Sequence, residues 1–131
     1  MWRAYPLVDH VADKVCAIVE RHDGHPSTRY KDLIDLVAIV DRVAIAAEPQ
    51  LRALYKESQR RMLELPPVFD TFDRNLWTPG YRAEARRTID LSALELDQAL
   101  AMVTPFVDPL LDRSAAGTWS PRLRAWERSK M

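Results

Sequence analysis

Three glycines among 131 residues leave no Gly-rich phosphate loop and exclude a collagen-like or low-complexity chain. The single cysteine, Cys16, cannot close an intramolecular disulfide, which points to a reducing compartment. No CxxC and no HExxH is present. No apolar run approaches the roughly 18–20 residues that a membrane-spanning helix needs. The best stretch, Leu33 to Ala47, is broken by Asp35, Asp41 and Arg42. The first residues, Met1 to Pro6, lack the basic and apolar regions of a signal peptide, so a cytoplasmic protein is expected. Net charge is also absent: 19 Lys and Arg balance 19 Asp and Glu, which argues against a general nucleic-acid coat protein. What remains is a composition with 47% hydrophobic and 29% charged residues, ordinary for one globular domain with a real core.

The apolar spacing is helical. Val8, Val11, Ala12, Val15, Ile18 and Val19 predict a helix from Pro6 to Arg21, and Leu33, Leu36, Val37, Val40 and Ala44 a second one ending near Ala47. Between them, Gly24 and Pro26 mark a loop, and Ser27 or Thr28 is placed to cap the second helix. A third helix is expected from Glu48 to Glu64. Residues 66–79 read as irregular, with Phe69, Phe72, Leu76 and Trp77 as anchors. A short helix near Tyr81 to Thr88 and a long one from Ile89 to Leu111 follow, the latter kinked or split by Pro105. Trp119 to Met131 reads as a tail. Only Trp2 to Tyr5 has any strand-like alternation. The expected class is therefore all-α: a single helical domain over residues 1–131, with its motif-bearing helices at about 6–47 and further helices and the tail over 48–131.

The densest polar constellation opens the second helix: Arg29, Lys31, Asp32 and Asp35. Asp32 and Asp35 are three apart and share a helix face, with Arg29 three before Asp32 and Lys31 four before Asp35. Spacing alone favours ordinary surface ion pairs over a site for metal, base or phosphate chemistry. Lys14 borders an apolar stripe, where spacing alone favours a snorkelling side chain. His22, Asp23 and His25 cluster in a loop but make a poor metal set. His10 reads as structural or exposed, Cys16 as a buried inert thiol, and Trp119 and Trp126 as anchors of the terminal segment. The charge is uneven: residues 1–48 carry a net −2 and residues 113–131 a net +4.

A family pattern joins several of these residues. The stretch from Tyr5 through Lys14 to Ala17, a loop, and then Arg29-Tyr-Lys31-Asp32-Leu-Ile-Asp35-Leu36 resembles the third motif of the AbiEii/AbiGii-type nucleotidyltransferase toxins. In that motif a leucine and a helical lysine precede an alanine and R-x-K-D-x-x-D-[LI]; here Leu7, Lys14, Ala17, Arg29, Lys31, Asp32, Asp35 and Leu36 fill the places. More weakly, Pro109 to Asp112 and Gly117 to Trp119 resemble tails of actinobacterial members. The resemblance implies the helical C-terminal lobe of a polymerase β-like nucleotidyltransferase from a type IV toxin–antitoxin or abortive-infection system. Such proteins transfer nucleotides from NTP with Mg²⁺, some of them onto tRNA. It places Lys14 near the nucleotide phosphates, makes Asp35 and Asp32 complete the active site, and gives Arg29 and Lys31 to site support or phosphate binding.

The same family has an N-terminal lobe whose Gly-Ser turn and D-x-D pair hold the metal ions, and this sequence has neither. No metal site is therefore expected within the chain, and it is expected to be inactive alone. A separately encoded N-terminal lobe, an antitoxin protein and tRNA are the expected partners. Two further readings stand beside this one. The first is a non-catalytic helical module that binds an antitoxin or another protein. The second is an RNA-contacting domain that uses Arg122, Arg124 and Arg128 of the tail.

Overall fold

The structure is a computed structural model that describes residues 6–21, 27–69, 73–88, 91 and 93–128. The expectations for Trp2 to Tyr5, for His22, Asp23 and His25, and for Phe72 and Ile89 lie outside the described residues. Five helices carry the chain: α1 (Leu7–Val19), α2 (Tyr30–Arg42), α3 (Ala47–Arg60), α4 (Arg74–Arg86) and α5 (Leu96–Leu111). The largely helical class expected from the sequence is observed.

Their ends follow local chemistry. Pro6 precedes α1, and its carbonyl accepts from the Asp9 and His10 amides at 3.0 and 3.2 Å. Asp73 caps α4 by accepting from the Asn75 and Leu76 amides. Glu95 and Gln98 form a reciprocal capping box at the start of α5.

Several boundaries differ from the expectation. The second helix stops at Arg42 rather than near Ala47, because Ile45–Ala46 forms a strand, β1. β1 pairs antiparallel with β2 (Thr118–Ser120), which pairs with β3 (Ala125–Glu127), so the supposed tail is a hairpin. Residues 74–79 are helical rather than irregular, and Pro79 lies inside α4. The last long helix starts at Leu96, not Ile89, and holds both Pro105 and Pro109 without splitting. Pro105 is exposed, so the Ala101 carbonyl that its ring leaves without a donor lies on a solvated side. The Pro109 carbonyl accepts from the Ser114 and Ala115 amides where the chain leaves α5.

α2 lies against α1, α4 and α5, while α3 packs across α1. Leu33, Leu36, Val37 and Val40 of α2 are buried with Val11, Val15, Phe106 and Val107 in one apolar cluster. The sheet extends that cluster through its tryptophans. Trp119 is fully buried and donates its indole N–H to the Val40 carbonyl at 2.9 Å. Trp126 stacks on Phe106 with centroids 5.2 Å apart and donates to the Phe106 carbonyl at 3.1 Å. Both act as anchors, as expected. Gly117, at φ 79, comes so close to the Glu127 carbonyl that a Cβ there would lie 1.9 Å from it.

One charged knot ties α3 to α1. The Arg61 guanidinium reaches Asp13 at 2.5 Å, Glu20 at 2.7 Å and Glu57 at 2.6 Å, and its side chain is only 17% exposed. Arg60 adds a second contact to Glu57 at 2.6 Å. Burial pushes the Glu57 carboxyl up, but hydrogen bonds and charge from Arg60 and Arg61 outweigh it and hold the group below its ordinary value. Cys16, on the same side of α1, is buried as expected, and its thiol is pushed up to about 12, chiefly by desolvation.

Replacing Arg61 with Met leaves three partly buried carboxylates together and is expected to cost about 3 kcal/mol in urea unfolding. Glu57 has a lowered folded value, so its contribution is present above its unfolded value and lost as pH falls through the folded one. Glu57→Gln is therefore expected to lower Tm at neutral pH, with the difference shrinking once the pH drops below 4.5. Thermal melts across pH measure it.

Candidate functional site

Lys14 points from the middle of α1 toward the first turns of α2. Its ammonium lies 2.9 Å from Asp35 Oδ2 and 3.4 Å from Asp32 Oδ1. The Arg29 guanidinium holds the other Asp32 oxygen at 2.8 Å. The helical spacing of Asp32 and Asp35 puts both carboxylates on the face that meets α1. Four of the five candidate residues are thus brought together across two helices. Lys31 is not: it is exposed and has no polar partner among the described residues. Of the two local pairs that spacing alone favoured, Arg29–Asp32 forms and Lys31–Asp35 does not, while Lys14 adds interhelical pairs to both aspartates.

Burial lowers the Lys14 ammonium's pKa, but hydrogen bonds and charge from Asp35 and Asp32 together outweigh it and hold it above the usual lysine value. Lys14 therefore stays protonated at neutral pH. It can act as a fixed cationic donor to an anionic ligand, and not as a general base. Arg29 adds a second cation through its contact with Asp32, while Lys31 carries an exposed charge on the first turn of α2. The two aspartates are acceptors already shared with cations.

The start of α2 is pinned from both sides. The Ser27 hydroxyl donates to the Ile18 carbonyl at 3.0 Å, so Ser27 ties α2 to the end of α1. Neither Ser27 nor Thr28 serves as the expected cap; Arg29 is the N-cap residue, without a side-chain capping bond. Trp77 of α4 donates its indole N–H to the Ser27 carbonyl at 2.9 Å and meets the Tyr30 ring edge to face at 4.8 Å. Gly80, one turn on, lies under the same ring: a Cβ there would sit 2.2 Å from Tyr30 Cζ. Sequence reading gave Trp77 and Ser27 roles as core anchor and cap, placed Gly80 as the lead into a helix near Tyr81, and gave Tyr30 no packing role. The available signal was a glycine inside a helical stretch, which often marks a close approach.

The arrangement does not by itself suit a resident divalent ion. Among the described residues, no three Asp, Glu, His or Cys side chains converge in a metal-binding group. Asp32 and Asp35 are both engaged by Lys14, whose charge opposes a cation there.

The model of the nucleotidyl transferase AbiEii toxin family, type IV toxin–antitoxin system, matches residues 1–102. This chain belongs to that family. The match spans α1 to α4 and ends at Met102 inside α5, so the β2–β3 hairpin lies beyond it. No curated protein and no solved structure matches the chain. Membership of the AbiEii family brings nucleotidyltransferase toxin-like function and an antitoxin partner. Enzymes of this chemistry use NTP and a divalent metal. Among the described residues, no helix of this AbiEii-family chain is long and apolar enough to cross a membrane.

Gly80→Ala is expected to destabilise the protein by about 1–3 kcal/mol, because the new methyl must displace the Tyr30 ring. A double-mutant cycle of Lys14→Met and Asp35→Asn is expected to give a coupling of about 0.5–1 kcal/mol, since the Asp35 side chain is 36% exposed. Lys14 has a raised folded value, so this coupling is present below its unfolded value of 10.5 and lost as pH rises through the folded one. Urea unfolding at neutral and at strongly alkaline pH measures both statements.

Proposed function

We propose that this chain supplies the helical, phosphate-facing half of a nucleotidyltransferase that moves NMP from NTP to an RNA such as tRNA in the cytoplasm. The observation that carries the proposal is the convergence of Lys14 with Asp32 and Asp35 across α1 and α2. Lys14 grips the nucleotide phosphates as a point charge, with Arg29 and Lys31 adding attraction from the rim. Asp35 and Asp32 hold the Lys14 ammonium at a defined place before the nucleotide arrives, which lowers the ordering cost of binding.

On this reading, residues 1–131 work as one helical unit. The metal-binding carboxylates belong to a different lobe, carrying a Gly-Ser turn and a D-x-D pair. These helices provide none of that ligand set, so the chain alone does not transfer nucleotides. Of the three tail arginines, Arg122 and Arg128 are exposed. Arg124 is committed to Asp41 at 3.2 Å, and the segment is folded as a hairpin on the core.

Radioactive NTP, Mg²⁺ and tRNA mixed with the purified chain are expected to yield no labelled RNA. Joined to an AbiEii-type N-terminal lobe, the chain is expected to label it. Lys14→Ala or Asp35→Asn is then expected to reduce labelling by about 10²-fold or more. Labelling by the chain alone, or full activity of the joined Lys14→Ala protein, overturns the proposal.

A further inference from the structure

A groove of about 540 Å³ opens on the other side of α3, between that helix, residues 63–65 and the end of α5. None of Lys14, Arg29, Asp32 or Asp35 lines it. Six leucines do. From α3 come Leu51, Leu54, Tyr55 and Ser58, the i, i+3, i+4, i+7 row of one helix face, so the groove follows α3 for about 10 Å. Tyr55 is 54% exposed, and Met62, beside the groove in the left-handed region at φ 54, is 93% exposed.

The charges on this groove are uneven. The Arg113 guanidinium lies over the Tyr55 ring, 5.6 Å from its centroid, and no carboxylate pairs with it among the described residues. Arg52 also lines the groove, held only by a surface pair with Glu48 at 3.2 Å. Glu64 is the one acidic side chain of the lining. Leu110, Leu111 and Arg113 lie beyond the residues that the family match covers.

We propose that this groove docks an amphipathic α-helix of a protein partner. Apolar residues one turn apart sit on the leucines, and a carboxylate of the helix meets Arg113 and Arg52. A helix fits because the lining runs along a helix face, where side-chain ridges accept those of a second helix. No strand lines the groove, so an extended peptide finds no edge to pair with. The acid is required by Arg113: a guanidinium with only a ring face beneath it keeps its in-plane donors for a bidentate carboxylate. Exposed Tyr, Met and Arg around an apolar floor are the residue types that dominate protein interfaces.

The test uses the full chain and two fluorescein-labelled helical peptides of about 16 residues, long enough to hold a helix. Both carry leucines at i, i+3, i+4 and i+7; one has glutamates on the flanking positions and the other lysines. In fluorescence anisotropy the glutamate peptide is expected to bind about tenfold or more tightly than the lysine peptide. Arg113→Glu is expected to reverse that preference and Tyr55→Ser to weaken both. Arg52→Glu serves as the second charge reversal if the Arg113 variant does not fold. Equal affinity for the two peptides, no binding of either, or an unchanged preference in the charge-reversed variants overturns the proposal. Concentration-dependent dimers in sedimentation that Tyr55→Ser abolishes give the groove to a second copy of this chain and also overturn it. So does binding of a short oligouridine that displaces the peptide.

Discussion

The placement of α1 depends on Arg61. A guanidinium presents its donors in a rigid planar fork, and here that fork collects Asp13 and Glu20 from α1 and its C-terminal edge and Glu57 from α3. Three carboxylates at such close quarters repel one another unless a cation sits among them. Removing Arg61 therefore weakens the α1–α3 packing. Asp13 is next to Lys14 in the chain. The turn of α1 that Arg61 holds on one side is the turn that presents Lys14 to α2 on the other. Val11 and Val15 seat α1 in the apolar core beside this charged knot.

α2 is fixed by a different kind of contact. Its first turn carries Asp32 and lies at the junction of α1, α2 and α4. Two hydrogen bonds through Ser27 and the Tyr30 ring wedged between Trp77 and Gly80 hold it there. The far end of α2 is held by Trp119, whose indole donates to the buried Val40 carbonyl from a strand that lies 79 residues further on. A helix held at both ends by buried indole donors presents its two aspartates with little freedom. That is the condition under which a part-buried ion pair contributes positioning as well as charge.

Much of the helical plan was legible in the sequence. The 3.6-residue period of Val11, Val15 and Ile18, and of Leu33, Leu36, Val37 and Val40, marks buried faces that the structure uses as read. The order Lys14, Arg29, Lys31, Asp32, Asp35 was enough to suggest the family to which the chain belongs. The strands were not legible. Ile45–Ala46 is two residues long and sits within a helical-period run, and Thr118–Ser120 and Ala125–Glu127 are three each, too short for alternation to register. Pro105 was read as a kink or break, since sequence shows that a donor is missing but not whether solvent can satisfy the carbonyl it leaves.

The sequence by itself determined which residues are apolar, how they are spaced, and where helices can begin and end, because these follow from interactions within a few residues of each other. Tertiary structure alone decided the rest. Lys14 and Asp35 are 21 positions apart, Trp119 and Val40 are 79, and Arg61 and Asp13 are 48. Whether such groups meet depends on the rotation and depth at which helices pack. Many interlocking side chains set those together, and no local pattern records them. Spacing alone therefore read Lys14 as a snorkelling lysine and Asp32 and Asp35 as surface charges, while packing joined the three into one ion-paired site.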